Sequence, residues 1–138
     1  MSKLNLEINN LTPDKIDKRF LKEFAERILK FVKIKIPEIS LVLVCGARMK
    51  SLNKKYRKRN KVTDVLAFDY GEIIICLPQA RRQAKELGHS LKDELKILLI
   101  HGILHLAGFN DETKASYKKM MATQEKIFKS IFIWQKAI

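Results

Sequence analysis

The spacing of apolar side chains predicts alternating strands and helices in the first third of the chain. Residues 4–8 alternate between apolar and polar with a period of two, which is typical of a half-buried strand. Thr12 and Pro13 then predict the N-cap and first position of a helix, and apolar residues recur every third or fourth position as far as Val32. The apolar run at residues 39–45 predicts a buried strand.

The middle of the chain predicts a short helix followed by a β-hairpin. Leu52 and Tyr56 lie four positions apart, which favours a short helix. Residues 62–70 and 72–77 each read as a strand. Because Gly71 alone separates them, and glycine permits a tight turn, we expect the two strands to be antiparallel neighbours.

The last part of the chain predicts three helices. They span residues 78–87, a segment from a Ser90 cap to Gly108, and residues 113–134. The inner side of the last helix is expected to carry Tyr117, Met120, Met121, Ile127, Phe128 and Ile131. The resulting order, β-α-β-α-β-β-α-α-α, predicts an α+β fold in which a mixed sheet of about four strands is covered by helices. Residues 1–138 are expected to form a single domain.

Composition narrows the class of protein. Hydrophobic residues make up 46% of the 138 residues, which is typical of a globular domain and excludes a disordered basic tail. Cys45 and Cys76 are the two cysteines, which is too few for a secreted disulfide scaffold. Both lie in predicted apolar strands, where we expect inert, reduced thiols.

The charge balance points to a polyanionic partner. Lys and Arg total 28 against 15 Asp and Glu, which gives a net charge of +13. Such an excess favours nucleic acid as the partner, although a solvated lysine-rich surface would have the same composition. Residues 1–10 lack the apolar core of a signal peptide, and the apolar stretch at residues 97–109 is too short to span a bilayer. We therefore expect a cytoplasmic protein without membrane contact.

The candidate chemistry lies in the predicted helix before Gly108. His101 and His105 are four residues apart, so both rings leave one helix face and can converge on one zinc ion. Asp111, beyond the break, is the candidate third ligand. Together they predict one catalytic zinc ion per chain with an open coordination position, at the C-terminal end of the helix. The alternatives are histidines bonded to backbone in the core, and an Asp111 or Asn110 that caps the last helix.

Gly102 argues against a zinc peptidase. In the peptidase motif HExxH the residue after the first histidine is a glutamate that acts as general base, whereas this chain has a glycine there. A metallopeptidase is therefore a minor alternative. Gly102 is expected to allow close packing, or to leave space for a substrate.

Two separated segments resemble the YbeY family of endoribonucleases. Residues 101–111, HGILHLAGFND, resemble the family signature HGxLHLxGYDH, with Asp111 in place of a third histidine. Residues 52–68, from Leu52-Asn53 through Tyr56-Arg57 to Thr63-Asp64-Val65-Leu66 and Phe68, are similar to the family pattern LNxxYRxKDxPTDVLSF.

This resemblance implies a specific activity. It implies a zinc-dependent endoribonuclease that is specific for single strands and acts in 3′-end maturation of 16S ribosomal RNA and in ribosome quality control. Arg57 and His101 would be catalytic, and His101, His105 and Asp111 would hold the metal. The implied fold is α+β, with the metal site beside a basic groove. The implied partners are the small ribosomal subunit, a small-subunit ribosomal protein and an Era-type GTPase.

Residues 48–61 form a basic block without acidic residues. Contacts of this kind to phosphates give affinity without sequence information. The candidate RNA-binding residues are Arg48, Lys54, Lys55, Arg57, Lys58, Arg59 and Lys61. The Arg57 guanidinium suits a phosphate because it can bind two oxygens at once, or it is a solvated surface charge. Tyr56 either stacks on a base or packs in the core.

The residues leave the general base and the extent of catalysis open. Metal-bound water, Glu72 and the 2′-hydroxyl of the substrate are all candidates for the base. Glu94 precedes His101 by two helical turns and could orient a ligand, or be a surface acid, while His89 is expected to be exposed. The alternative function is a catalytically weak RNA-binding ribosome assembly factor.

Overall fold

The computed structural model describes residues 5–57 and 63–137, with side chains described up to Tyr56 and from Thr63 to Ile131. Within these residues the chain forms four strands and five helices in the expected order. The strands are β1 (Asn5–Asn10), β2 (Glu38–Val44), β3 (Val65–Phe68) and β4 (Glu72–Cys76). The helices are α1 (Lys18–Ile28), α2 (Gly46–Arg57), α3 (Leu77–Leu87), α4 (Leu91–Leu106) and α5 (Lys114–Ala137).

The strands form one mixed sheet in the order β1-β2-β4-β3. β1, β2 and β4 are parallel, and β3 pairs antiparallel with β4, which confirms the predicted hairpin and the α+β class. Gly71 makes the hairpin turn with a φ of +110°, and a Cβ atom there would collide with the carbonyl oxygen of Glu38. β3 is an edge strand of the sheet.

The two faces of the sheet are covered by different helices. One face carries the main core, in which α1, α4 and α5 pack on alternate residues of the strands, among them Leu41 and Ile73. The other face carries a smaller cluster in which Met49 of α2 packs with Leu66 and Ile74. α2 and α4 therefore lie on opposite faces of the sheet.

The predicted start of α1 was wrong. The Asn10 side chain accepts hydrogen bonds from the Thr12 backbone amide (3.0 Å) and hydroxyl (2.6 Å), which forms a local turn. The helix begins later, where the side chain of Asp17 accepts from the amide of Phe20 at 3.1 Å. The helix also ends earlier than predicted, at Ile28.

The ends of α4 and α5 position the candidate site. Ser90 caps α4 as expected, because its side chain accepts from the amide of Asp93. Thr113 caps α5, since its hydroxyl accepts from the amide of Ser116 at 3.0 Å. The expectation that Asp111 or Asn110 supplies this cap was wrong.

Two further details, at Tyr117 and Cys45, differ from the sequence-based expectations. Tyr117 is 50% exposed rather than inward-facing. Cys45 lies just beyond β2 and is exposed, whereas Cys76 is buried. In the part of the chain that is described, no helix combines the length and apolar character needed to cross a bilayer.

Candidate active site

His101 and His105 converge through their ring nitrogens. They lie one turn apart on α4, and their Nε2 atoms are 3.1 Å from each other. The rings meet edge to face at 70°, with centroids 4.7 Å apart. Both side chains are half-buried. The alternative, in which each histidine lies in the core and bonds to backbone, stays a prediction.

A residue of α5 holds the far side of the His101 ring. The Nδ1 atom of His101 is 2.9 Å from the side-chain oxygen Oε1 of Gln124. An amide oxygen only accepts hydrogen bonds, so Nδ1 carries the proton and donates it. The Nε2 atom of His101 is then the nitrogen with a free lone pair, and it faces His105.

The spacing of the two Nε2 atoms fits ligation of a zinc ion. With zinc–nitrogen bonds of about 2.0 to 2.1 Å and tetrahedral angles, two ligating nitrogens lie about 3.3 Å apart. The observed 3.1 Å between the nitrogens is close to this value. Imidazole nitrogens are also the donors that zinc prefers in catalytic sites. In this geometry the pair would supply two ligands to an ion without rearrangement of the helix.

Asp111 does not join the histidines in this structure. It lies in the exposed connection between α4 and α5. Among the described residues, no group of three His, Cys, Asp or Glu side chains is arranged to hold a metal ion. Asp111 as the third ligand stays a prediction.

Gly102 allows α4 to lie close to the sheet. It is buried, and a Cβ atom at this position would lie 2.8 Å from Cγ2 of Ile73, in β4. Of the two expected roles for Gly102, the geometry shows close packing. This contact sets the distance from the sheet to the neighbouring His101.

Glu94 supports a different part of the fold from the one expected. Its carboxylate is 3% exposed and accepts hydrogen bonds from His89 Nε2 at 2.7 Å and Gln83 Nε2 at 2.8 Å. Gln83 also reaches the carboxylate of Asp64 at 3.3 Å. Glu94 therefore links α3 to the start of α4, and Gln83 extends this hydrogen-bond network to Asp64, just before β3. His89 is half-buried in this network, so the expectation that it is exposed was wrong.

The described part of the basic block lies on α2. Arg48, Lys54 and Lys55 are exposed, as RNA-binding residues must be. Arg57 is the last residue of α2, and its side chain is outside the described residues. The remaining candidates, Lys58, Arg59 and Lys61, lie wholly outside them.

Three aromatic rings line up beside this basic helix. The rings of Tyr56 and Phe68 meet edge to face at 5.2 Å, and Phe68 stacks on Tyr70 at 5.6 Å. Tyr56 is 52% and Tyr70 is 65% exposed, so Tyr56 is not the core residue of the alternative interpretation. Desolvation, and then the carboxylate of Glu72, raise the pKa of the Tyr70 phenol, which therefore stays protonated and donates to Glu72 at 3.3 Å.

The hairpin register relates the two faces. Phe68, which contacts Tyr56 on the α2 face, follows Ala67 in β3. Ala67 pairs with Ile73, against which Gly102 packs on the α4 face. Tyr56, near the end of α2, and Gly102, next to His101, therefore contact neighbouring positions of the β3–β4 hairpin from opposite faces of the sheet.

Gln124 is the site residue that sequence reasoning missed. It lies on the inner face of α5, four residues after Met120 and three before Ile127, both of which are buried. A polar residue in an apolar stripe was the available signal, since a polar group is buried at a cost unless it is hydrogen-bonded. This pattern did not indicate that the hydrogen-bond partner of Gln124 would be His101.

Comparison with known proteins identifies the family of the chain. Residues 7–132 match the family described as Endoribonuclease YbeY. The chain is 41% identical over 125 residues to the endoribonuclease YbeY of Sulfurihydrogenibium sp. (strain YO3AOP1), covering 82% of each chain. It is 37% identical over 138 residues to that of Endomicrobium trichonymphae, covering 96% of this chain and 98% of the relative.

A solved structure shows the same fold. The solution structure of a Thermotoga maritima protein superposes with a TM-score of 0.68 at 28% identity, covering 96% of this chain and 92% of that one. The match over nearly the whole chain includes both the histidine helix and the basic helix. The chain belongs to the YbeY family of endoribonucleases.

Proposed function

We propose that this chain is a zinc-dependent endoribonuclease that cuts single-stranded RNA in the 3′-end maturation of 16S ribosomal RNA and in ribosome quality control. The observation that carries the proposal is the convergence of the His101 and His105 Nε2 atoms at 3.1 Å in a chain of an endoribonuclease family. The small ribosomal subunit, a small-subunit ribosomal protein and an Era-type GTPase are the proposed partners, in the cytoplasm.

The proposed metal site uses one zinc ion per chain. His101 and His105 supply two ligands, and Asp111 is the proposed third. A bound zinc ion would supply Lewis acidity toward the phosphoryl group and a lowered pKa for an attacking water. The histidines hold their nitrogens toward each other, and Gln124 fixes the far side of the His101 ring.

Arg57 is the proposed phosphate-binding and catalytic cation. A guanidinium can donate to two phosphate oxygens at once and stabilise the charge that develops on them. Its place at the end of α2, next to Tyr56, which contacts Phe68 of the hairpin, supports this role. An RNA strand that crosses the edge of β3 would reach both faces.

The exposed aromatic rings are proposed to contact unpaired bases. Tyr56 and Tyr70 are exposed and lie on either side of Phe68, and the Lys55 ammonium lies 5.2 Å from the Tyr56 ring centroid. Stacking on such rings is sequence-tolerant and requires unstacked bases. This favours single-stranded RNA. Tyr56→Leu should weaken RNA binding by about 1 to 3 kcal/mol.

Metal content and cleavage of a labelled single-stranded ribosomal RNA fragment test the proposal on the same sample. Wild type should carry about one zinc ion per chain and cleave the RNA. His101→Gln should lose cleavage while retaining most RNA affinity. His89→Gln is the matched control, because it changes a histidine of the same helical region outside the metal pair and should keep both properties. Wild type without metal and without cleavage contradicts the proposal.

The third ligand has its own test. Asp111→Ala should weaken zinc binding markedly, and Asp111→His should keep or strengthen it, because imidazole is at least as good a zinc ligand as carboxylate. Equal zinc affinity in wild type and Asp111→Ala would remove Asp111 from the site.

A catalytically weak RNA-binding assembly factor is the second candidate function. The exposed position of Asp111, away from the histidines, favours it, since two ligands alone hold zinc weakly. In that case Arg57→Ala should weaken RNA binding with a reduced salt dependence, while His101→Gln should change neither binding nor ribosome maturation. A metallopeptidase is disfavoured because Gly102 packs on Ile73 and supplies no base.

A further inference from the structure

We propose that Gln124 is a positioning residue that fixes the tautomer and ring orientation of His101 for metal binding. This inference rests on the proposed zinc site and adds to it a residue of α5. Its basis is the 2.9 Å contact between His101 Nδ1 and Gln124 Oε1, together with the 3.1 Å contact on the other side of the same ring.

Gln124 is half-buried on the face of α5 that packs on α4. Met120, Ile127 and Ile131 lie on the same face of the helix and are buried, and α5 packs on α4 along this face. An amide among such neighbours is costly unless it is hydrogen-bonded. A leucine would satisfy the packing, so packing alone does not account for a glutamine at this site.

The contact with Gln124 determines which ring nitrogen of His101 carries the proton. Because Gln124 Oε1 accepts from Nδ1 of His101, the Nε2 atom of His101 keeps its lone pair. This lone pair faces the Nε2 atom of His105, which is 3.1 Å away. A histidine that ligates a metal through Nε2 needs this same tautomer, and it is commonly held by an acceptor at the other nitrogen. Gln124 thus prepares His101 before any ion arrives.

The matched variants separate positioning from packing. Gln124→Leu removes the acceptor but fits the apolar stripe. Gln124→Glu keeps an acceptor oxygen and serves as the conservative rescue. Gln79→Leu is the control, because it changes a half-buried glutamine of α3 whose hydrogen bonds go to Gln83 and Arg82.

Two measurements are made on each variant. The first is the histidine tautomer in the zinc-free protein, from nitrogen–proton correlations of ¹⁵N-labelled histidine at about pH 8, where the free imidazole is neutral. The second is zinc affinity, from competition with a chromophoric chelator. Wild type should show His101 protonated at Nδ1. Gln124→Leu should lose this preference and bind zinc about 10- to 100-fold more weakly, while Gln124→Glu and Gln79→Leu should stay close to wild type.

The outcomes distinguish this inference from the proposed function. Protonation of His101 at Nε2 in the wild type, or equal zinc affinity in wild type and Gln124→Leu, overturns the role of Gln124 and leaves the nuclease proposal intact. A wild type that binds no zinc overturns the zinc-dependent function. The tautomer comparison, made without metal, then still decides whether Gln124 orients His101.

Discussion

Replacing Gly102 by alanine tests how closely α4 lies on the sheet. The new Cβ atom would lie 2.8 Å from Cγ2 and 3.1 Å from Cδ1 of Ile73. Carbon atoms in contact prefer about 3.5 to 4.0 Å, so the nearest pair would be about 0.7 Å too close. Ile73 is fully buried, and its Cγ2 is bonded directly to Cβ, so it cannot swing away into solvent. We expect α4 to be pushed outward.

Two opposing terms set the effect on stability. Overpacking of this kind costs about 1 to 3 kcal/mol. Alanine in place of glycine inside a helix gains about 1 kcal/mol. Gly102→Ala should therefore lower the free energy of unfolding by about 0 to 2 kcal/mol. Because His101 is the adjacent residue, and a displacement of about 1 Å can cost about 100-fold in rate, RNA cleavage should fall by much more than stability does.

A double-mutant cycle measured by urea unfolding isolates the contact. Ile73→Ala removes all three crowding atoms and by itself costs about 2 to 5 kcal/mol. In that background Gly102→Ala has only its helix-propensity gain and should stabilise by about 1 kcal/mol. The coupling energy between the two positions should thus be about 1 to 3 kcal/mol. If Gly102→Ala has the same effect in both backgrounds, the close approach of α4 to Ile73 does not exist in solution.

Further consequences of the structure can be measured on single variants. Glu94→Leu should destabilise the fold by about 1 to 3 kcal/mol in chemical unfolding, because two half-buried donors lose their acceptor; an unchanged midpoint contradicts this. Burial raises the pKa of the Cys76 thiol, so a thiol reagent at neutral pH should modify Cys45 and spare Cys76 by mass spectrometry. The pKa of the Cys76 thiol is higher in the folded than in the unfolded protein. The preference of the fold for the protonated thiol therefore contributes fully to stability below the ordinary thiol pKa of 9.0, and this contribution is lost as the pH rises above that value. Thr113→Ala should cost about 1 kcal/mol as a lost N-cap, whereas Asp111→Ala should leave the thermal unfolding of the metal-free protein unchanged, because a ligand contributes to stability only when the metal is bound.

The order of elements could be predicted because its signals are local. The period-two and period-three-to-four patterns indicate strands and helices within windows of a few residues, and the short connection that contains Gly71 indicates a hairpin. The start of α1 was mispredicted because Thr12-Pro13 has the local chemistry of an N-cap. Asn10, two residues earlier, takes the Thr12 hydroxyl and amide into a turn instead, and a second competent cap, Asp17, was available.

The same difference between local and long-range contacts applies to the candidate site. His101 and His105 are close in sequence, so helical geometry alone brings their nitrogens together. Their supports come from elsewhere: Gln124 is 23 residues from His101 along the chain, and Ile73 belongs to a strand of the sheet. Such residues act through contacts between elements, and a pattern within one element cannot reveal them. Gly102 and Gln124 depart from the pattern of their own helices because each contacts a neighbouring element. Gly102 packs on Ile73 of β4, and Gln124 accepts a hydrogen bond from His101 of α4. A sequence-based search for the rest of a metal site should therefore look for residues that the helix itself does not favour, such as a glycine in its interior or a polar residue on its apolar face.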